Sequence, residues 1–148
     1  MGVEPIPAGY HSVTPYLIVH GADRLLDFLK DAFAAEERFR MTAPDGSIRH
    51  AEARIGDSVV MLAEASAQWP AMPASLHLYV ENCDAVYRRA LDAGATSVQE
   101  PADQFYGDRS GGVRDSVGNV WWIATHAEDV PEDEIARRAE ERAAGQRG

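Results

Sequence analysis

The chain has 148 residues, a net charge of -10 and a single cysteine, Cys83. That length allows one domain with a real core, or two small modules sharing one. No stretch approaches the ~20 apolar residues of a membrane span, no basic cluster tracks a phosphate backbone, and a lone cysteine forms no intrachain disulfide, so the expected setting is a reducing cytoplasm with neither membrane nor nucleic acid as partner.

In chain order, Met1–Tyr10 carries two prolines and no basic n-region, and is not read as a signal peptide. Thr14–Val19 reads as a short buried strand. Leu25, Phe28, Leu29, Ala32 and Phe33 then fall on one face of a helix. Glu36–Met41 is a second strand, and Ala43-Pro44-Asp45-Gly46 a turn. Ser47–Ile55 and Ser58–Ala63 form a hairpin across Gly56-Asp57. Ala65–Ala74, with Pro70 and Pro73, reads as a linker in which Trp69 covers the core. Ser75–Val80 is the next strand. Asn82 caps a helix carrying Val86, Tyr87, Ala90 and Leu91, which stops at Gly94. A short strand near Val98, a long loop from Glu100 to about Gly111, and a hairpin of Val113–Asp115 with Val120–Thr125 complete the order. Glu128–Gly148, with seven acidic residues and four arginines, is expected to be a helical tail that is solvated or clasps a second copy.

The first half recurs in the second at an offset of 61. Leu17/Leu78, Val19/Val80, Asp23/Asp84, Asp31/Asp92, Ala32/Ala93, Ala34/Ala95, Gly46/Gly107, Val59/Val120 and Ala63/Ala124 are identical, nine matches across positions 14–63. A composition this rich in alanine gives roughly three or four by chance. A duplicated β-α-β-β-β order places a working site where the copies meet.

A resemblance is carried by Thr14-Pro15-Tyr16-Leu17, His50-Ala51-Glu52, Gly56-Asp57-Ser58, Gln104-Phe105-Tyr106-Gly107-Asp108-Arg109 and Val117-Gly118-Asn119-Val120-Trp121-Trp122. With the closing Thr125-His126-Ala127-Glu128, the chain resembles the vicinal oxygen chelate superfamily, which holds glyoxalase I, bleomycin-resistance proteins and extradiol dioxygenases. More narrowly it resembles the PhnB-like branch. The resemblance implies an α+β fold in which tandem βαβββ modules form an incomplete barrel around a ligand cavity. Its single domain spans residues 10–127, with module 1 at about 12–64, a linker at 65–74 and module 2 at about 75–126; residues 128–148 form the tail.

Metal-dependent members of that superfamily take one ligand from the first and last strand of each module, drawn from His, Glu and Gln. The corresponding positions are Thr14, Met61, Ser75 and Trp122, none of them an ordinary ligand for such an ion. Neither a metal nor a cofactor is therefore expected. A rescue set of His50, Glu52 and His77 is set against a simpler arrangement, favoured here, in which His50, Glu52 and Arg54 hydrogen-bond one another in a polar wall.

Strand alternation places Leu17, Val19, Ala51, Ala53, Leu62, Leu78, Val80 and Ile123 toward the helices and their neighbours toward the cavity. The ligand-binding candidates are Tyr16, His50, Glu52, Arg54, His77, Tyr79, Tyr106, Arg109 and Trp122. Trp121 and Phe105 are read as packing. Asp108 and Arg109 either bind an anion or pair with each other. Cys83 is a small filler, despite its place at a helix start. Two readings follow. One is a homodimer that binds or sequesters a small, cationic or aromatic compound without a metal. The other is a lyase, isomerase or epimerase using Glu52 and His77 for proton transfer.

Overall fold

The computed structural model describes residues 2–147; Met1 and Gly148, the last residue of the expected tail, lie outside them. The first module runs β1 (Tyr16–Val19), α1 (Ala22–Phe33), β2 (Glu36–Thr42), β3 (Ile48–Ile55) and β4 (Ser58–Glu64). The second runs β5 (Ser75–Tyr79), α2 (Cys83–Asp92), β6 (Thr96–Asp103), β7 (Asp108–Arg114) and β8 (Val120–His126), and α3 (Glu132–Arg147) closes the chain. Each module builds its own four-stranded sheet, in the orders β1-β4-β3-β2 and β5-β8-β7-β6. The first strand lies parallel to the last in both, and the other pairs are antiparallel. This is the α+β fold of tandem βαβββ units that the repeat implies.

One sheet face in each module is covered by its helix. Leu17, Val19, Ala51, Ala53 and Leu62 of the first sheet are buried with Leu25, Leu26, Leu29 and Ala32 of α1. Trp121, Ile123 and Val113 play the same part against Val86 and Ala90 of α2. Leu78 and Val80 are only half-buried, packed at the edge of this core. The modules meet where α1 packs on α2, with the Phe33 and Trp121 rings 4.9 Å apart. No strand of one sheet pairs with a strand of the other among the described residues. The faces turned away from the helices are therefore open.

The duplication also governs how the helices begin. Gly21 precedes α1 with a φ of 99° and offers no side-chain cap. Glu64, at the end of β4, instead accepts the Gly21 N–H at 3.0 Å and the Ala22 N–H at 3.1 Å. Its partner at offset 61 is Thr125, whose hydroxyl accepts the Cys83 N–H at 2.9 Å, while Asn82 caps α2 through the Ala85 N–H. In both modules the last strand satisfies the orphan donors of the helix start. Cys83 itself is buried, and burial pushes its thiol above the ordinary range, so it is the filler expected.

Three expectations need correction. The segment from Glu100 to Gly111 is mostly strand: β6 continues to Asp103 and β7 begins at Asp108, leaving only the turn 104–107. Pro101 is tolerated because β6 is an edge strand. Trp69 is 61% exposed and covers no core; the linker is pinned by Met72, which pairs with Ile18. The repeat also shifts by one within the hairpins. Glu52 stands opposite Met61, whereas Gly112 stands opposite Trp122, so β3 and β7 correspond at offset 60. The β7–β8 turn absorbs the extra residue around the buried Asp115. Its carboxylate accepts the N–H groups of Val117 and Asn119, the Asn119 side-chain amide and the Trp121 indole.

Candidate functional site

Register decides which side chains share the open faces. On the first sheet Tyr16 stands beside Met61, Met61 beside Glu52, Glu52 beside Phe39 and His50 beside Met41. On the second, His77 stands beside Trp122, Trp122 beside Gly112 and His126 beside Asp108. These are two half-cups of aromatic and polar character. Tyr16 is 46% and Tyr79 61% exposed, and Phe39 and Met41 are also exposed.

In the first half-cup the Tyr16 hydroxyl lies 2.9 Å from His50 Nδ1, and His50 Nε2 lies 2.7 Å from Glu52 Oε2. Ionised, Glu52 only accepts, so Nε2 carries a proton toward it; in the neutral ring Nδ1 then accepts from the Tyr16 O–H. Partial burial pushes the Tyr16 phenol above its ordinary value, and it remains a donor. The expected contact of His50 with Glu52 is present, but Arg54 is not a member. Its guanidinium reaches back to the Gly56 carbonyl at 3.0 Å, at the hairpin end of the sheet.

The segment before β1 supplies a wall that the sequence reading did not anticipate. Pro5, Ile6, Tyr10, Thr14, Glu52 and Met61 line a cavity of about 370 Å³. A second cavity, of about 250 Å³, lies at the seam of the modules between His11, Val13, Val59, Leu76 and His77. His77 thus borders the seam, and its ring lies 4.9 Å from Tyr79.

The second half-cup holds a different cluster. Asp108, 5% exposed, accepts the Tyr79 hydroxyl at 3.1 Å and meets His126 Nδ1 at 2.8 Å. The other ring nitrogen of His126 meets Asp129 at 2.7 Å. The Asp108 and Asp129 carboxylates together hold His126 above its ordinary pKa. The hydrogen bond to Asp108, with burial, raises the Tyr79 phenol, and Tyr106 adds to it. His126 was not among the candidates; its partner Asp108 was read as part of a loop, so its pairing across β7 and β8 gave no sequence signal.

Arg109 is not in either half-cup. It alternates onto the helix side of β7, where its guanidinium grips the Asp84 carboxylate in α2 at 2.8 and 3.0 Å and reaches Asp103 at 3.3 Å. Asp108 and Arg109 therefore neither pair with each other nor present a joint anion site. Tyr106 packs edge-on against Phe105 in the turn that α3 covers, where Arg138 donates to the Phe105 carbonyl and Arg142 stacks on the Phe105 ring.

The four superfamily ligand positions present poor donors to a metal ion. The Trp122 indole N–H, which has no lone pair to offer, donates to Ser75 Oγ at 3.1 Å. Its ring lies over Gly112. Thr14 and Met61 sit together on the other module, offering a hydroxyl and a thioether. This set does not fit a divalent ion that requires imidazole or carboxylate. Among the described residues, no group of three or more His, Cys, Asp or Glu is placed to hold a metal ion, so His50, Glu52 and His77 do not converge. No described helix is long and apolar enough to cross a membrane.

Comparison with known proteins agrees with this architecture. The chain is 36% identical over 146 residues to an uncharacterised protein of Mycobacterium bovis, covering 91% of this chain and 92% of that one. Among solved structures, TioX from Micromonospora sp. ML1 superposes with a TM-score of 0.63 at 27% identity, covering 78% of this chain and 99% of that one. A PhnB protein from Bacillus cereus, titled a putative 3-demethylubiquinone-9 3-methyltransferase, superposes with a TM-score of 0.63 at 18% identity over 78% of this chain and 99% of its own, a likeness of fold. Residues 9–123 match the family described as the Glyoxalase/Bleomycin resistance protein/Dioxygenase superfamily, and the chain belongs to that superfamily.

Proposed function

We propose that this protein binds a small organic compound in a cup made from its two open sheet faces, without a metal at the four superfamily positions. The observation that carries this reading is the pair of half-cups itself. Aromatic rings and fixed polar groups line faces that the fold leaves uncovered, with Tyr16, Phe39, Met41 and Tyr79 exposed. Exposed apolar patches rimmed by polar groups mark binding surfaces. The half-cups do not close on each other through strand pairing, so a second copy completes them: module 1 of one chain faces module 2 of its partner in a homodimer. The net charge of -10 favours a cationic compound.

Trp122 is the reporter. Small-molecule panels are titrated against the intrinsic fluorescence, with Trp122→Phe as control and the metal content of the same sample measured. Saturable quenching lost in the variant, from protein free of stoichiometric divalent ion, is the expected result. One ion per chain that is essential for binding would remove the reading. Molar mass in solution tests the dimer. A second reading, in which the cup also moves protons, is favoured by the Tyr16–His50–Glu52 chain of hydrogen bonds.

A further inference from the structure

Most polar groups on the open faces are locked into static pairs. Arg54 is held by a backbone carbonyl, Tyr79 by Asp108, and His126 sits between two carboxylates. One arrangement differs, because it is directional and ends on an open group. Glu52 fixes the proton of His50 on Nε2, which leaves the Nδ1 lone pair directed at the Tyr16 hydroxyl. The phenol oxygen keeps its own lone pairs, on a side chain 46% exposed to the half-cup.

We propose that Tyr16 is a general base, activated by His50 and positioned through Glu52, acting on a bound compound with a weakly acidic C–H or O–H. The substrate proton passes to the Tyr16 oxygen while the phenolic proton passes to His50 Nδ1. The electron pair of the broken bond stays on the substrate, and the imidazolium that forms is balanced by the Glu52 carboxylate. Reversal returns the proton, to the same atom or to another, so the step needs no oxidant or reductant. Tyr16 is the catalytic residue; His50 carries its proton, and Glu52 is a positioning residue that holds the tautomer. This assignment rests on the cup taking up a small molecule, and it gives Glu52 a part played through His50, which its carboxylate meets at 2.7 Å.

A base-activated phenol is tested without knowing the substrate, using benzenesulfonyl fluoride. The tyrosine oxygen attacks sulfur, fluoride leaves, and the phenolic proton goes to the base. Tyr79 is the internal control: it is more exposed than Tyr16, and its hydroxyl donates to the Asp108 carboxylate, which is already engaged by His126, rather than to a free imidazole lone pair. Sites are quantified by peptide mass spectrometry in the wild type, Glu52→Gln and His50→Gln, with circular dichroism confirming the fold. The expected result is Tyr16 labelled at least tenfold faster than Tyr79, with both substitutions cutting the Tyr16 rate at least tenfold while the Tyr79 rate holds. Equal labelling of the two tyrosines, or fast Tyr16 labelling indifferent to both substitutions, overturns the relay. Such a failure leaves the ligand titration standing, so the two readings fall separately.

Discussion

The Trp122 ring rests on the backbone of Gly112, so closely that a Cβ added there would lie 2.6 Å from the ring. The equivalent place in the first module is filled by Glu52 beside Met61. Gly112→Ala therefore must push the indole off its seat, breaking its bond to Ser75. A loss of about 1–3 kcal/mol is expected, read by urea unfolding, together with a red shift of tryptophan emission. An unchanged spectrum would show the ring is not seated there.

Asp115 holds four donors around one buried carboxylate, and removing it orphans them together. Asp115→Ala is expected to cost at least ~3 kcal/mol. The same measurement on Asp115→Asn should fall between, because one amide oxygen remains to accept.

His126 gives the pH dependence its sign. Its folded pKa is raised by Asp108 first and Asp129 second, above the unfolded 6.5. The stability it adds is thus fully present below pH 6.5 and is lost as pH rises through the raised value. The melting temperature should decline across that window in the wild type, and less steeply in His126→Gln. Since the ring is half-exposed, the effect is a modest slope.

Arg138 ties α3 to the body through the Phe105 carbonyl at 3.0 Å and Glu128 at 2.9 Å. Arg138→Ala should speed proteolytic cleavage after residue 128 several-fold while leaving the unfolding midpoint of the core nearly unchanged. A matching drop in both would show that the tail and the core unfold together.

Much of the fold was legible because it is written in period. The α1 stripe of Leu25, Phe28, Leu29 and Ala32, the Gly56-Asp57 hairpin and the Asn82 cap each follow from local chemistry. Only the end of β7, at Val113 and Arg114, was legible: Asp108, Gly111 and Gly112 have poor strand propensity, and they pair under the cover of Trp122 and β6. Alternation placed Tyr16, His50, Glu52 and Tyr79 on the open faces. It misplaced Arg109, because a strand assumed to be a loop has no alternation to count. The Tyr16–His50 bond was beyond reach of sequence, since it joins two strands separated by the whole width of β4.

The contact of α1 with α2, rather than of sheet with sheet, has a consequence for measurement. If a second copy completes the cup, as proposed, the cup exists only at the concentration where those chains associate, so apparent affinity for its ligand must weaken as the protein is diluted. Titrations repeated at two protein concentrations would then disagree, and ligand should in turn draw separated copies together.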